Sequence, residues 1–293
     1  MPLRPVYLLF AFLVFAIAVS YASLPPKVQQ YIFFARDHYS VASNAFENLS
    51  LSAKSYIVFD AESGEVLTQK KEHDVHETAS IIKLLTADTA LLSNAVDSST
   101  TVSWRAVATE GRAGQLSAGE EYHIRELVFP LLLESSNDAA EAIAEHGGRK
   151  KFVAAMNATA KKLHMNNTIA TDPAGLSRGD VSTADDFRIL LLDLMNHQRH
   201  VLDITQLPSY IGSAHTWHNN DPVYAQSGFV GGKHGYTDTA GHTLAAVFNT
   251  HFVKSDMTRP IGIVLLNTKD IVGDVTKIRT EIARSVTFEH DAQ

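Results

Sequence analysis

Three short stretches of this chain carry side chains that could cooperate in nucleophilic chemistry. Ser80-Ile81-Ile82-Lys83 puts a hydroxyl and an amine three residues apart, and on a helix residues at that spacing share a face. A serine hydroxyl is a weak nucleophile at neutral pH and needs a base within hydrogen-bond reach. A lysine in a buried helix loses proton affinity by desolvation, so its neutral amine could serve as that base. Ser135-Ser136-Asn137, between two helical stretches, offers a hydroxyl and an amide that could relay a leaving-group proton and position a substrate backbone. Lys233-His234-Gly235, flanked by Gly231-Gly232 and Tyr236-Thr237, offers a positive charge on a strand whose glycines permit close backbone approach. Each stretch also has a plainer reading when taken alone. The first describes an N-cap serine with a snorkelling lysine, the second a turn and helix cap, the third the start of any strand.

The elements that must position these side chains are legible in the surrounding pattern. Tyr56 to Asp60 is β-rich, Glu62-Ser63-Gly64 is turn chemistry and Glu65 to Leu67 resumes the strand pattern, which predicts a hairpin. Ala79 to Leu92 is apolar nearly all round, the mark of a buried helix. Tyr122 to Leu133 and Asp138 to His146 read as helices, the second closed by Gly147-Gly148. Phe152, Met156 and Leu163 mark a further helix, and Thr183-Ala184-Asp185-Asp186 begins another as a capping box. Gly232 to Thr237, Thr243 to Phe248 and Ile261 to Asn267 read as strands, followed by a helix near Ile271 to Ala283. Strands at both ends with helices between predict an α+β fold, with one antiparallel sheet assembled around a helical insert.

Taken in order, the three stretches resemble the S-x-x-K, S-x-N and K-T-G signature of the penicillin-recognising serine enzymes. The likeness extends beyond them. Phe59-Asp60-Ala61 with Gly64, Leu85-Thr86-Ala87, Ser136 to Ala140, Asp172-Pro173-Ala174-Gly175-Leu176, Ser182 to Asp185, and Thr237-Asp238 with Ala240-Gly241 are similar to the low-molecular-mass D-alanyl-D-alanine carboxypeptidases. The resemblance runs from about Tyr56 to Arg284. It implies a β-lactamase/transpeptidase-like fold, an antiparallel sheet packed against a helical region with the active site between them. It also implies roles. Ser80 would be the acylated nucleophile, Lys83 its general base and Ser135 the proton relay. Asn137 would hold the acyl-enzyme, Lys233 would give electrostatic support, and the backbone N–H groups of Ser80 and Tyr236 would form the oxyanion hole. Arg259 would help bind the substrate's terminal carboxylate. The implied substrate is the peptidoglycan pentapeptide stem, with β-lactams as inhibitors and no cofactor.

Two positions depart from the family pattern. Thr78 stands where a proline is usual, two residues before Ser80, and is expected to alter only the start of the helix. His234 replaces the hydroxyl residue that normally meets the substrate carboxylate. If His234 and Tyr236 share the cleft side of a strand, the imidazole would stand in for that hydroxyl, and carboxypeptidase efficiency should rise in mild acid. The same replacement keeps a turnover-deficient peptidoglycan-binding scaffold in view, beside a D,D-endopeptidase of cross-bridges. A β-lactamase is disfavoured, because no E-x-x-L-N stretch follows Ser135.

Composition narrows the remaining classes. The 293 residues are 45% hydrophobic with a net charge of -7, which argues against nucleic acid as a partner. Without cysteine, disulfides and thiol chemistry are excluded. His73 and His76, and likewise His215 and His218, are three apart, but no third ligand is convincingly spaced, so no metal site is expected. Arg4 precedes an apolar run from Val6 to Val19 that ends in Ser20-Tyr21-Ala22, the pattern of an export signal. Residues 1–22 are therefore expected to be either cleaved after Ala22 or kept as a membrane anchor. Both outcomes place the protein outside the cytoplasm, in the periplasm or cell envelope. Residues 23–50 are expected to be a lead-in and 51–290 the peptidase domain. Because the chain ends soon after its last helix, any membrane attachment is expected through the N-terminus.

Overall fold

The computed structural model describes residues 37–41, 46, 49–93, 95–111 and 113–290. The expected export segment and most of the lead-in lie outside them. The hairpin forms as expected, with β1 (Ser55–Asp60) antiparallel to β2 (Val66–Lys70). The late strands are β3 (Phe229–Thr237), β4 (Gly241–Phe252) and β5 (Met257–Thr268). They join the early hairpin in one five-stranded antiparallel sheet of order β3-β4-β5-β1-β2. The two ends of the sequence thus meet where β5 pairs with β1, for example Ile263 with Val58.

Alternation along these strands gives the sheet two apolar faces. Ile57, Phe59, Ala245, Val247, Val264 and Leu266 face the helical insert. Tyr56, Val58, Leu244, Ala246, Phe248, Ile263 and Leu265 face Val275, Ile278 and Ile282 of the C-terminal helix. A sheet covered on both sides has near-continuous apolar strands, which is why β1 is buried at every position.

The insert begins with a 3-10 turn over Ala79–Ile82 that runs into α1 (Lys83–Leu91). It continues through α2 (Ile124–Leu133), α3 (Asn137–His146), α4 (Arg149–Lys162), α5 (Ala184–Asn196) and α6 (Arg199–Gln206). The C-terminal helix is α7 (Ile271–Ser285). The capping box holds, since Thr183 accepts a hydrogen bond from Asp186 N.

Two expectations need correcting. Helix α2 starts at Ile124 because Glu121–His123 are taken up in a ribbon with Ser99–Thr101. Helix α6 was not anticipated; it is short, and its buried Val201, Leu202 and Thr205 acquire their meaning from packing beside β3.

Candidate active site

Ser80 sits in the 3-10 turn, directly after Ala79, whose φ of 48° lies in the left-handed region. Non-glycine residues hold such a conformation only where their surroundings enforce it. One loop and one strand do so here. Asp180 O accepts both the N–H (2.9 Å) and the hydroxyl (3.2 Å) of Thr78. Thr243 Oγ1 of β4 donates to Thr78 O at 2.9 Å. A proline at 78 would lack the N–H, so the threonine adds two ties to the start of the helix that the usual residue could not make.

Lys83 follows one turn later and is fully buried. Its Nζ lies 2.8 Å from Ser80 Oγ, 2.7 Å from Asn137 Oδ1 and 2.6 Å from Ala174 O. Burial, then the charge of Lys233, push its proton affinity well below that of an ordinary lysine, against the opposing pull of Asp172 and Asp180. The partner set serves either protonation state. Nζ donates to all three oxygens; with one proton removed it would keep the bonds to Asn137 Oδ1 and Ala174 O and could accept the Ser80 hydroxyl instead.

The second stretch separates the two readings offered for it. Ser136 is the helix cap, its Oγ accepting from Ala139 N at 3.0 Å. Ser135, the residue before it, is half-buried with a left-handed φ of 60°. Asn137 uses Oδ1 on Lys83 and donates through Nδ2 to Glu110 O at 2.7 Å. A cavity of about 580 Å³ opens beside this stretch, lined by Gln115, Glu134, Asp138, His218 and Asn220. Neither Ser80 nor Lys83 lines it.

The third stretch forms the edge strand β3. Lys233 pairs with Ala245 and Gly235 with Thr243, on the face toward the helical insert. Gly235 packs so tightly there that a Cβ on it would come within 2.5 Å of Ser80 N; the strand backbone abuts the serine amide because no side chain intervenes. Lys233 is buried, with Nζ 2.8 Å from His234 O, and burial pulls its proton affinity down to about 8 despite the nearby Asp221.

His234 and Tyr236 leave the strand on the opposite face. Their register partners, Leu244 and His242, show this, and Leu244 belongs to the cluster around α7. As expected, the two side chains share a face; it is opposite to the face on which Lys233 and Gly235 lie and on which Gly235 abuts Ser80 N. His234 Nδ1 lies 3.2 Å from Oδ2 of Asp221, a buried carboxyl. Burial and the charge of Lys233 hold His234 below its ordinary range, with Asp221 opposing. Burial would raise Asp221, but the His234 hydrogen bond and the charges of His234 and Lys233 outweigh it. The Tyr236 side chain is exposed, its hydroxyl donating to Asp238.

Arg259 lies far along the sheet from Gly235. It pairs with Thr250, seven residues along β4 from the Gly235 partner Thr243, or roughly 23 Å at strand rise. Its guanidinium is held by Asp60 at 2.8 Å and Glu62 at 2.5 Å. The β-hairpin claims this arginine, which the sequence order alone does not reveal.

Two groups of functional interest escaped the sequence reading. Asp221 lies in a loop twelve residues before Lys233, with turn chemistry as its only local signal. Asp172 and Asp180 bracket the loop that presents Ala174 O to Lys83, and only Asp172 stood in a recognised stretch.

A protein-family model described as D-alanyl-D-alanine carboxypeptidase matches residues 41–265. D-alanyl-D-alanine carboxypeptidase DacB2 of Mycobacterium tuberculosis is 33% identical over 200 residues, covering 66% of this chain and 69% of the relative. A D-alanyl-D-alanine endopeptidase of Pseudomonas aeruginosa is 33% identical over 238 residues, 74% of this chain and 72% of its own. The chain spans only 60% of the DacD carboxypeptidase of Salmonella typhimurium, at 29% identity over 76% of this chain. Among solved structures, a Mycobacterium tuberculosis D-alanyl-D-alanine carboxypeptidase superimposes with a TM-score of 0.71 at 28% identity, covering 79% of this chain and 91% of that one. The Streptomyces K15 DD-transpeptidase shares the fold, with a TM-score of 0.70 at 22% identity over 79% of this chain and 97% of its own.

Proposed function

This chain belongs to the D-alanyl-D-alanine carboxypeptidase family of peptidases, and from that premise we propose that it is a serine-type D-Ala-D-Ala carboxypeptidase acting through an acyl-enzyme on Ser80. The observation that carries the reading is the partner set of Lys83, a buried amine with one hydroxyl and two carbonyl-type oxygens around it. Lys83 takes the Ser80 proton as Oγ attacks the carbonyl of the penultimate D-Ala. The amides of Ser80 and Tyr236 receive the developing oxyanion; the packing of Gly235 on Ser80 N makes these amides neighbours. Ser135 passes a proton to the departing D-Ala, and water then hydrolyses the ester. Asn137 holds the acyl group and Lys233 stabilises negative charge beside it. His234 acts at a remove, by bracing the edge strand against Asp221.

Peptidoglycan stem peptides are the proposed substrate and β-lactams the proposed acylating inhibitors. The work would take place outside the cytoplasm, which the signal-like residues 1–22 support. Among the described residues no helix is long and apolar enough to cross a membrane. A second reading, cleavage of D-Ala-containing cross-bridges, has the endopeptidase relative in its favour.

Benzylpenicillin treatment followed by intact-mass spectrometry and peptide mapping tests the proposal. One adduct on Ser80, absent from Ser80→Ala, is expected; an adduct elsewhere or none at all refutes it. Incubation with purified muropeptides separates the two readings, since a carboxypeptidase releases free D-Ala while an endopeptidase converts dimers to monomers.

A further inference from the structure

The loop that presents Ala174 O to Lys83 is built around two buried carboxyl groups. Asp172 Oδ1 accepts the N–H groups of Ala174 and Gly175, both at 2.7 Å, and its Oδ2 accepts Ser177 N at 2.7 Å. Asp180 Oδ1 accepts Thr171 N at 2.6 Å, Thr171 Oγ1 at 3.0 Å and Asp172 N at 3.0 Å. Asp180 Oδ2 has only a 3.2 Å contact with Ser177 N, a donor already engaged by Asp172. The two Oδ2 atoms therefore converge on one N–H group. Two carboxylates in that arrangement repel unless a proton lies between them.

We propose that Asp172 and Asp180 share one proton, carried on Asp180 Oδ2 and donated to Asp172, and that this pair positions the Ala174 carbonyl against Lys83 and tunes the lysine's basicity. The assignment of the proton follows from the bonding: Asp180 Oδ1 is filled by three donors, and Asp172 accepts through both of its oxygens. Burial and the charge of Asp172 raise Asp180 to about 7. Burial also acts to raise Asp172, but the Asp180 hydrogen bond and the backbone amides of Ala174, Gly175 and Ser177 bring it below the ordinary value.

The loop is coupled to the nucleophile at further points. Thr86 Oγ1 donates to Pro173 O at 2.8 Å, and Asp180 O holds Thr78. Gly175, at φ 81°, packs so closely that a Cβ would collide with Ala79 O. The charged groups whose fields meet the pair are Lys83 from α1 and Arg149 from α4, the latter paired with Glu141 of α3; Lys233 acts on Lys83 from the other wall. While the pair holds its proton it presents one negative charge to Lys83. Once the proton leaves it presents two, which stabilises the ammonium form of Lys83 and strains the loop.

Asp180 is raised in the folded protein above its value of 3.8 in the unfolded chain, so its contribution is full below that value. It is lost as pH rises through about 7.

This inference rests on Lys83 acting as the base for Ser80, and the test separates the two ideas. Asp180→Asn keeps a donor to Asp172 and an acceptor for Thr171 while removing the second charge. Acylation by a fluorescent penicillin is followed in wild type and Asp180→Asn from about pH 5.5 to about pH 9, with melting temperatures at both ends of the range. The variant's half-maximal acylation is expected at lower pH by at least about half a unit. Its loss of melting temperature toward alkaline pH should be smaller than that of wild type by about 3 °C or more. Superimposable pH profiles together with a melting difference equal at both pH values would overturn the proposal. Absence of acylation in wild type would instead sink the Ser80–Lys83 reading and leave the melting comparison to judge the pair. Should the variant not fold, carboxyl-carbon NMR titration of wild type decides: Asp180 should titrate near neutrality while Asp172 stays ionised, and two ordinary aspartates would refute the sharing.

Discussion

The cleft has two walls, each with a buried lysine, and they are built on different terms. Lys83 stands at the junction of the 3-10 turn and α1, and all three of its hydrogen-bond partners are uncharged. Lys233 stands on the edge strand, bonded to a backbone carbonyl with the carboxyl of Asp221 close enough to support its charge. Burial lowers both, but only Lys83 also answers to a neighbouring cation, which is Lys233 itself. Residue type and burial are therefore poor guides to what a lysine can do. Carboxylates oppose burial at both lysines; the neighbouring cation, felt by Lys83 alone, sets them apart.

The sharpest way to break this comparison is to remove the proposed base. Lys83→Ala should lower the penicillin acylation rate at least about 100-fold while circular dichroism reports an intact fold. A folded variant that acylates at the wild-type rate would end the role assigned to Lys83. Next in size is Lys233→Ala, expected to slow acylation by about 100-fold through lost charge stabilisation. It should also move the alkaline rise of the pH profile upward, because Lys233 is a cause of the lowered proton affinity of Lys83. A slower enzyme with an unmoved profile would mean that the two lysines do not sense one another.

Arg259 supplies a control from the far end of the sheet. Arg259→Met removes the ion pair of the buried Asp60 carboxylate and should cost about 3 kcal/mol in a denaturant melt, with acylation per folded molecule unchanged. A selective rise in KM for a D-Ala-D-Ala peptide would return this residue to the substrate. The smallest effect is expected at His234. His234→Thr should change acylation by no more than about fivefold, or roughly 1 kcal/mol. Since burial and Lys233 lower the proton affinity of the imidazole, its pH profile should superimpose on that of wild type through the mild acid range. A rise toward acid present only in wild type would restore the imidazole to the carboxylate site.

Some features depended only on local pattern and were therefore legible from the chain. The hairpin around Gly64, the buried helix after Ser80, the capping box at Thr183 and the late strands all follow from periodicity and turn chemistry. The spacing in Ser80-Ile81-Ile82-Lys83 put hydroxyl and amine together because a helical turn brings them there whatever surrounds it. What the tertiary structure decided was every question of which face and which partner. Alternation told that His234 and Tyr236 lie on one side of β3, but not which side, because both faces of this sheet are covered with apolar groups. Arg259 precedes an apolar strand in either reading, and only pairing of the chain's two ends sets it beside Asp60. Asp180 and Asp221 carry no pattern beyond turn chemistry. Their significance comes from desolvation and from neighbours brought close by folding, and a charge buried by tertiary packing leaves no trace in the local sequence.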